Sequence, residues 1–398
     1  MLEMFTVGQP VDFVTVLEKL KESPSYEEAQ GRTYLVQLAQ MVPSISNVES
    51  YARIVRDKYD IRTLILTARE ILEEAGDGSE DAAALLDSAE QRIFDIRRGK
   101  NMQGLQRIDE ILIETYDRLD LLNSPDKELY KGVPTGIGEL DNTITGLNRS
   151  DLILLAARPG MGKTSFALNI MRHAAVTAQK RVAFFSLEMT KEQLVSRLLS
   201  TEALVGGTKL RTGELSEGEW VRLIEAGEVL SKAQMYFDDS SGITVPEMKA
   251  KLRRLRDVDL VIIDYLQLMS GSKRTEGNRV QEISEITRNL KIMAKELNIP
   301  VIALSQLSRA SEQRTAHRPV LSDLRDSGSI EQDADIVLFL YREGYYAGGE
   351  GQPDDSVDHN SGEVIVAKNR HGESRTIPLH WQGEFMRFTS QEVLRSEN

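Results

Sequence analysis

The feature that most restricts this chain is the stretch at 152–171, LILLAARPGMGKTSFALNIM. A run of six apolar residues, a turn with two glycines and then a run of helix formers read as strand, loop and helix in that order. A turn of this kind holds phosphate, because the first N–H groups of a helix have no intrahelical acceptor and point ahead of it. The motif asks for Gly, four residues, then Gly-Lys-Ser/Thr; Gly162, Lys163 and Thr164 fit, and Ala157 stands at the first glycine position. That replacement leaves the chemistry intact. Backbone N–H groups, the Lys163 ammonium and Mg²⁺ on the Thr164 hydroxyl do the holding. Arg158, Pro159, Gly160, Met161, Gly162, Lys163, Thr164 and Ser165 are the candidate binding residues for ATP.

Beyond residue 131 short apolar runs recur between helical stretches: 182–187 (VAFFSL), 260–264 (LVIID), 301–305 (VIALS), 336–340 (IVLFL) and 363–367 (EVIVA). This alternation predicts an α/β domain, a mainly parallel sheet with helices on both faces and its ligand at the C-terminal strand ends. Residues 344–361, rich in Gly, Asp and Ser, read as a mobile surface loop. Three strand tips carry groups suited to a triphosphate. Asp264 ends its run and suits a magnesium shell together with Thr164. Glu188, after FFSL, is placed to orient or deprotonate the attacking water. Gln306, after VIALS, is a candidate γ-phosphate sensor, with an ordinary polar strand end as the competing reading.

Composition removes several other classes. No window approaches the roughly 18 uninterrupted apolar residues of a membrane span, and the start has no basic segment ahead of an apolar core, so a cytoplasmic protein is expected. With Cys 0 there is no disulfide or thiolate metal site, and His173, His317, His359, His371 and His380 are too scattered for a cage. The net charge of -13 argues against nucleic acid at first sight. Residues 1–131 hold 16 Lys+Arg against 25 Asp+Glu, however, and the remainder 33 against 37. The acidity sits at the front, which leaves a nearly neutral C-terminal module able to carry a local basic surface.

The front reads as all-α: helices over 11–22, 31–42 and 47–76, then 81–98, the last two forming an αα-hairpin. Over 104–123, Leu105, Ile108, Leu112, Tyr116, Leu119 and Leu122 fall on one helical face, and Pro125 stops the run. This is an amphipathic linker helix whose stripe docks within the chain or on another subunit. The expected organisation is a helical N-terminal domain over 1–100, a linker helix within 101–130 and a nucleotide-binding domain over 131–398. A basic run at 249–256, KAKLRRLR, reads as a solvated helix face.

Several segments together resemble one family, the DnaB replicative helicases of bacteria: TGIGELDNTITGL, AARPGMGKTSFALN, FSLEM, VIIDYLQLM, EISEITRNLKIMAKELNIPVIALSQLSR and SDLRDSGSIEQDADIVLFLYR. The resemblance implies a RecA-like P-loop ATPase core in a homohexameric ring, encircling single-stranded DNA and moving 5′ to 3′ on it at the fork. It implies that Lys368 and Arg370 in AKNRHG act on the next subunit's nucleotide, Arg370 as the arginine finger. It also implies that Arg325, Asp326 and Gly328 line the DNA channel, and that primase and a helicase loader are partners. The front of the chain is similar to the family's N-terminal domain but begins late, so its opening helices are expected to be absent. A recombinase filament or a non-translocating ATP-dependent assembly factor would share the same core, and both stay open here.

Overall fold

The computed structural model describes residues 13–21, 48–77, 82–97, 107–124, 131–269, 279–308, 317–327, 330–346 and 358–391, with residues 312 and 314. The chain divides into two compact units, Met1–Thr115 and Tyr116–Asn398. In the first, α1 spans Phe13–Lys21, α2 Val48–Asp77 and α3 Ala82–Arg97. Arg92 of α3 donates to Glu74 near the end of α2 at 2.7 Å, the antiparallel pairing expected of a hairpin. The expected helix at 31–42 lies outside the described residues. Ile54, Val55, Ile65, Leu66 and Leu72 on α2 and Leu86 on α3 are exposed.

The division between the units falls inside α4, Ile108–Asn123. Four members of the expected stripe, Ile108, Leu112, Tyr116 and Leu119, are exposed along it.

The second unit holds α5 (Gly138–Ile144), α6 (Lys163–Arg172), α7 (Lys191–Ala203), α8 (Gly207–Thr212), α9 (Glu217–Lys232), α10 (Val245–Leu255), α11 (Arg279–Leu297) and the short α12 (Ile330–Asp333). Its sheet runs through β1 (Leu152–Ala157), β2 (Val182–Ser186), β3 (Met235–Asp238), β4 (Leu260–Asp264), β5 (Val301–Gln306), β6 (Ile336–Tyr341), β7 (Ser361–Asn369), β8 (Arg375–Gln382) and β9 (Arg387–Ser390). The strand order is β3-β2-β4-β5-β1-β6-β7-β8-β9. Pairing is parallel from β3 through β6 and antiparallel from β6 through β9.

All six residues of β1 are buried because the sheet is covered on both faces. Ile153 and Leu155 pack into one core with Phe166 and Ile170 of α6 and Leu194 and Leu198 of α7. Leu152 and Leu154 pack into the other with Met248 and Leu252 of α10 and Leu290 and Met293 of α11. The period-two alternation of a strand thus divides one continuous apolar run between two cores.

Three strands are additions to the six expected, and each has a reason for being hard to read. β3 is a four-residue edge strand, MYFD, only partly buried. β8 contains Pro378, which argues against a strand. Trp381 donates its backbone N–H to Asn360 O on the β7 side, so Pro378, three positions away, turns its nitrogen to the other side. There, among the described residues, β9 pairs only with Leu379 through Gln382. β9 follows directly on β8 and is four residues long.

The segment 344–361 is less loop-like at its ends than its composition suggests. Gly344 is buried in a turn over Glu343–Tyr345, and β7 already begins at Ser361.

Candidate functional site

The parallel strands converge at their C-terminal ends on four adjacent tips. Ser186 of β2 pairs in register with Asp264 of β4, and Ala157 of β1 with Gln306 of β5. The phosphate turn leaves β1, the outermost of the four. Gly160 and Gly162 hold φ of 79° and 95°, the left-handed region that favours glycine. A Cβ on Gly160 would lie 2.8 Å from the Tyr345 ring and one on Gly162 3.0 Å from Phe388. Gly162 is the N-cap of α6, so the free N–H groups of the first helical turn face the space ahead of the loop. Met161 is buried beneath the turn. Arg158 anchors its start, donating to Leu307 O at 2.7 Å and to Glu312 at 2.6 Å.

Asp264 is wholly buried. Its Oδ2 accepts from the Thr164 hydroxyl at 2.7 Å, and its Oδ1 lies 3.4 Å from Lys163 Nζ. Lys163 also sits over the Tyr265 ring, 4.4 Å from its centroid. Burial pushes the Lys163 ammonium below the usual lysine range, while Asp264 and Glu188 act against that shift. The pocket is therefore a costly place for this cation without more negative charge, which a triphosphate supplies.

Glu188 is exposed just past β2. The turn behind it is stapled by Ser186, whose hydroxyl donates to Met189 O and accepts from Met189 N, at 2.6 and 3.1 Å. Leu187 N donates to Asp264 O at 2.6 Å, which ties the Glu188 turn to the tip of β4. Gln306 is exposed as well, and its backbone is clasped by Gln267, which accepts from Gln306 N at 3.3 Å and donates to Gln306 O at 3.2 Å.

Lys368 and Arg370 lie elsewhere. β7 runs antiparallel to β6, so Lys368 pairs with Val337 at the start of β6, the end of the sheet opposite the phosphate turn. A six-residue strand separates those ends by roughly 17 Å. There Lys368 Nζ donates to the carbonyls of Glu331 and Ala334 at 2.6 and 2.8 Å, and Arg370 to Gln332 O at 2.6 Å. Burial and the neighbouring Arg370 push Lys368 below the usual lysine range. Lys163, Thr164, Asp264, Glu188 and Gln306 are brought together; Lys368 and Arg370 are kept away from them within one chain.

The DnaB-like helicase C terminal domain model matches residues 132–390, and the DnaB-like helicase N terminal domain model matches 1–57. The chain is 46% identical to the replicative DNA helicase DnaB of Geobacillus stearothermophilus over 395 residues, 98% of this chain and 86% of that protein. The chain belongs to the DnaB-like replicative helicase family. It is 45% identical to the replicative DNA helicase DnaC of Bacillus subtilis (strain 168), again over 98% of this chain and 86% of the relative. Among solved structures, a DnaB-like replicative helicase described with its interactions with primase superposes with a TM-score of 0.69 at 34% identity, covering 98% of this chain and 90% of that one. A second, an isolated ATPase domain, gives 0.66 at 39% identity, covering 73% of this chain and 100% of that one. Family membership makes this chain an ATP-dependent DNA helicase, with a RecA-like α/β core.

Two groups near the phosphate turn escape a reading by motif. Burial pushes the Arg197 guanidinium of α7 below the usual arginine range, while the charges of Asp264 and Glu188 act against that shift, so it lies within electrostatic reach of both carboxylates. Its only sequence signal was an arginine within an otherwise ordinary amphipathic helix. Arg342, at the end of β6, stacks on Trp381 with its guanidinium carbon 4.7 Å from the ring, a flat cationic surface close to Gly162. Neither partner announces the other, since they lie 39 positions apart on different strands.

In the expected DNA segment, Arg325 and Asp326 lie within a 3-10 turn over Leu321–Ser327, and Gly328 is outside the described residues. The run at 249–256 is solvated only in part: Lys251, Arg254 and Arg256 are exposed, whereas the side chains of Lys249 and Arg253 are largely buried beside Glu296, and Met248 and Leu252 face the core. Among the described residues, no helix is long and apolar enough to cross a membrane, and no His, Cys, Asp or Glu cluster is arranged to hold a metal.

Proposed function

We propose that the helicase works as a six-membered ring that moves 5′ to 3′ along single-stranded DNA, each ATP being shared by two neighbouring chains. The observation that carries this reading is the opposite placement of the phosphate turn and the Lys368–Arg370 pair on one sheet. A closed head-to-tail ring puts one end of that sheet against the other end of the next.

One chain holds the triphosphate through the N-terminal turn of α6 and Lys163. Mg²⁺ fits the donor set of Thr164 Oγ and the buried Asp264 carboxylate, whose Oδ1 has only the Lys163 ammonium beside it, 3.4 Å away. When bound, it neutralises charge on the phosphate oxygens. Glu188 takes the proton of the attacking water or fixes its direction. Gln306 meets the γ-phosphate with its amide and passes its loss to the strand-end loop beyond. From the next chain, Lys368 and Arg370 release the carbonyls they rest on and stabilise charge developing on the transferred phosphoryl group. Arg197 and the Arg342–Trp381 stack complete the same pocket, the first beside the phosphates and the second offering a base a flat surface.

Arg325, Asp326 and Gly328 serve the DNA strand. A glycine lets backbone N–H groups approach phosphate without requiring net positive charge, and Arg325 adds an ionic contact. The exposed apolar residues of the α2–α3 hairpin suit a protein partner. A primase, with which the similar solved helicase is described as interacting, and a loader are the candidates.

Mass measurement of the full chain with ATP and an oligonucleotide tests the assembly. Six chains on one strand are expected, and an open series of larger complexes would favour a filament. Lys163→Ala is expected to lose ATP hydrolysis and fork unwinding together; unwinding at the unsubstituted rate contradicts the assigned site.

A further inference from the structure

The turn between β7 and β8, which carries Arg370, is fastened at several points. Arg370 N donates to Asp335 O at 3.0 Å. Asn369 Nδ2 reaches Thr143 O at 3.3 Å, and its Oδ1 accepts from His371 N at 3.0 Å. Ala367 is an extra residue in the β7 ladder, since Val337 pairs with Lys368 and Leu338 with Val366. Such a bulge re-aims the strand end. The Arg370 guanidinium is the exposed part: its side chain is 51% exposed, with Nη2 donating to Gln332 O at 2.6 Å and Nη1 3.6 Å from Asp335.

His371 follows directly and is held differently. Its Nε2 lies 3.1 Å from Oδ1 of Asp151, whose side chain is 7% exposed. The other oxygen of that carboxylate is buried with no donor, so His371 is its one hydrogen-bonded side-chain partner among the described residues. Burial pushes the Asp151 carboxyl up, and the His371 contact opposes this. Asp151 itself sits on a rigid base, its N bonded to Asn148 O and its O to Val301 N at the foot of the sheet. A half-exposed imidazole therefore grips a buried, backbone-fixed carboxylate one residue from a side chain that has to travel.

We propose that His371 is a positioning residue for catalysis in the neighbouring subunit: its contact with Asp151 holds the β7–β8 turn still while Arg370 swings out to the next chain's triphosphate. Arg370 leaves Gln332 O and Asp335 for its target, and the turn keeps the angle from which it leaves. A misplaced cation stabilises the transition state less while ground-state nucleotide binding, which belongs to the other chain's phosphate turn, is unaffected. The inference rests on the shared-site reading above.

The test compares full-length His371→Ala, and His371→Phe, which keeps a ring but has no donor, with His371→Gln, whose amide can still donate. DNA-stimulated ATP hydrolysis is measured alone and after mixing each variant with Glu188→Ala. Alanine and phenylalanine are expected to lower kcat on the order of tenfold with KM for ATP changed by less than about twofold, and glutamine to restore most of the loss. Rings form in all three, and Glu188→Ala rescues turnover, because its intact Arg370 serves the variant's sound phosphate turn. A defect transmitted through Asp151 and β1 to the variant's own phosphate turn could not be rescued in this way. Normal kcat in the alanine and phenylalanine variants overturns the proposal, as does loss of rings in both, or failure of rescue where Arg370→Ala is rescued. If Arg370→Ala itself is not rescued by Glu188→Ala, the shared site falls and this inference with it.

Discussion

At the scale of single residues the site is a matter of which charges are buried together. Asp264 is held by Thr164 and lies beside Lys163, whereas Glu188 is left outside at the tip of a stapled turn. In the proposed site that difference separates binding from chemistry. Glu188→Gln is expected to keep nucleotide affinity while lowering turnover by roughly 10²–10⁴, the usual worth of a general base; equilibrium nucleotide titration and steady-state kinetics check the two halves separately. A second residue affects stability rather than catalysis. Glu219 accepts from Lys209 Nζ at 2.7 Å and from Ser216 N and Oγ at 2.9 Å, and the Lys209 bond, followed by the Ser216 bonds, lowers its pKa from 4.5 to about 2. A carboxyl lowered by folding stabilises the chain above its unfolded pKa and loses that contribution as pH falls through the folded one. Thermal unfolding of Glu219→Gln should therefore lie below the unsubstituted protein at pH 7, with the gap closing between about pH 4.5 and 2. A gap that stays constant over that window contradicts the assignment.

At the scale of elements, the phosphate turn depends on what packs behind it. Phe166 of α6 is wholly buried and meets Phe388 of β9 edge to face, with centroids 5.5 Å apart. Phe166→Ala is expected to cost ~3–5 kcal/mol, read as a lowered unfolding midpoint in denaturant. Gly162→Ala is expected to abolish ATP binding, because it combines a left-handed φ with a Cβ 3.0 Å from the Phe388 ring; tight nucleotide binding by that variant would show that the turn tolerates another backbone.

These two contacts also mark how far the sequence could be read. The turn, its helix and the strand ahead of it were legible because apolar period, glycines and lysine fall within twenty residues. Five strands were legible because each is a run buried on both faces, and β7, whose residues alternate between buried and half-buried, because its run is apolar and β-branched. β8 and β9 were not, because Pro378 disguises one and the other is four residues long, yet their Trp381 and Phe388 form the wall behind Gly162. The pocket residues Arg197 and Arg342 were hidden for a related reason. Their role comes from partners distant in sequence, and no local pattern records it. For Lys368 and Arg370 the sequence offered only a basic pair at a strand end, and the antiparallel return of β7 is what sends them away from the phosphate turn.

At the scale of the molecule, the phosphate turn and the Lys368–Arg370 pair lie at opposite ends of one sheet, and the proposed site needs both. The N-terminal unit and α4 present exposed apolar side chains, and residues 1–131 hold 16 Lys+Arg against 25 Asp+Glu, a balance that disfavours contact with DNA phosphate. The same logic makes activity a property of assembly. On the proposed reading, a chain alone would hold the triphosphate with Lys163 and Thr164 but lack the cations that stabilise its transfer. The most direct measurement is ATP turnover per chain across a dilution series with excess oligonucleotide, with the mass of the particles recorded at each concentration. Turnover per chain is expected to collapse as rings dissociate and to recover where they re-form. Constant turnover per chain in solutions that contain only monomers would contradict a site divided between neighbours.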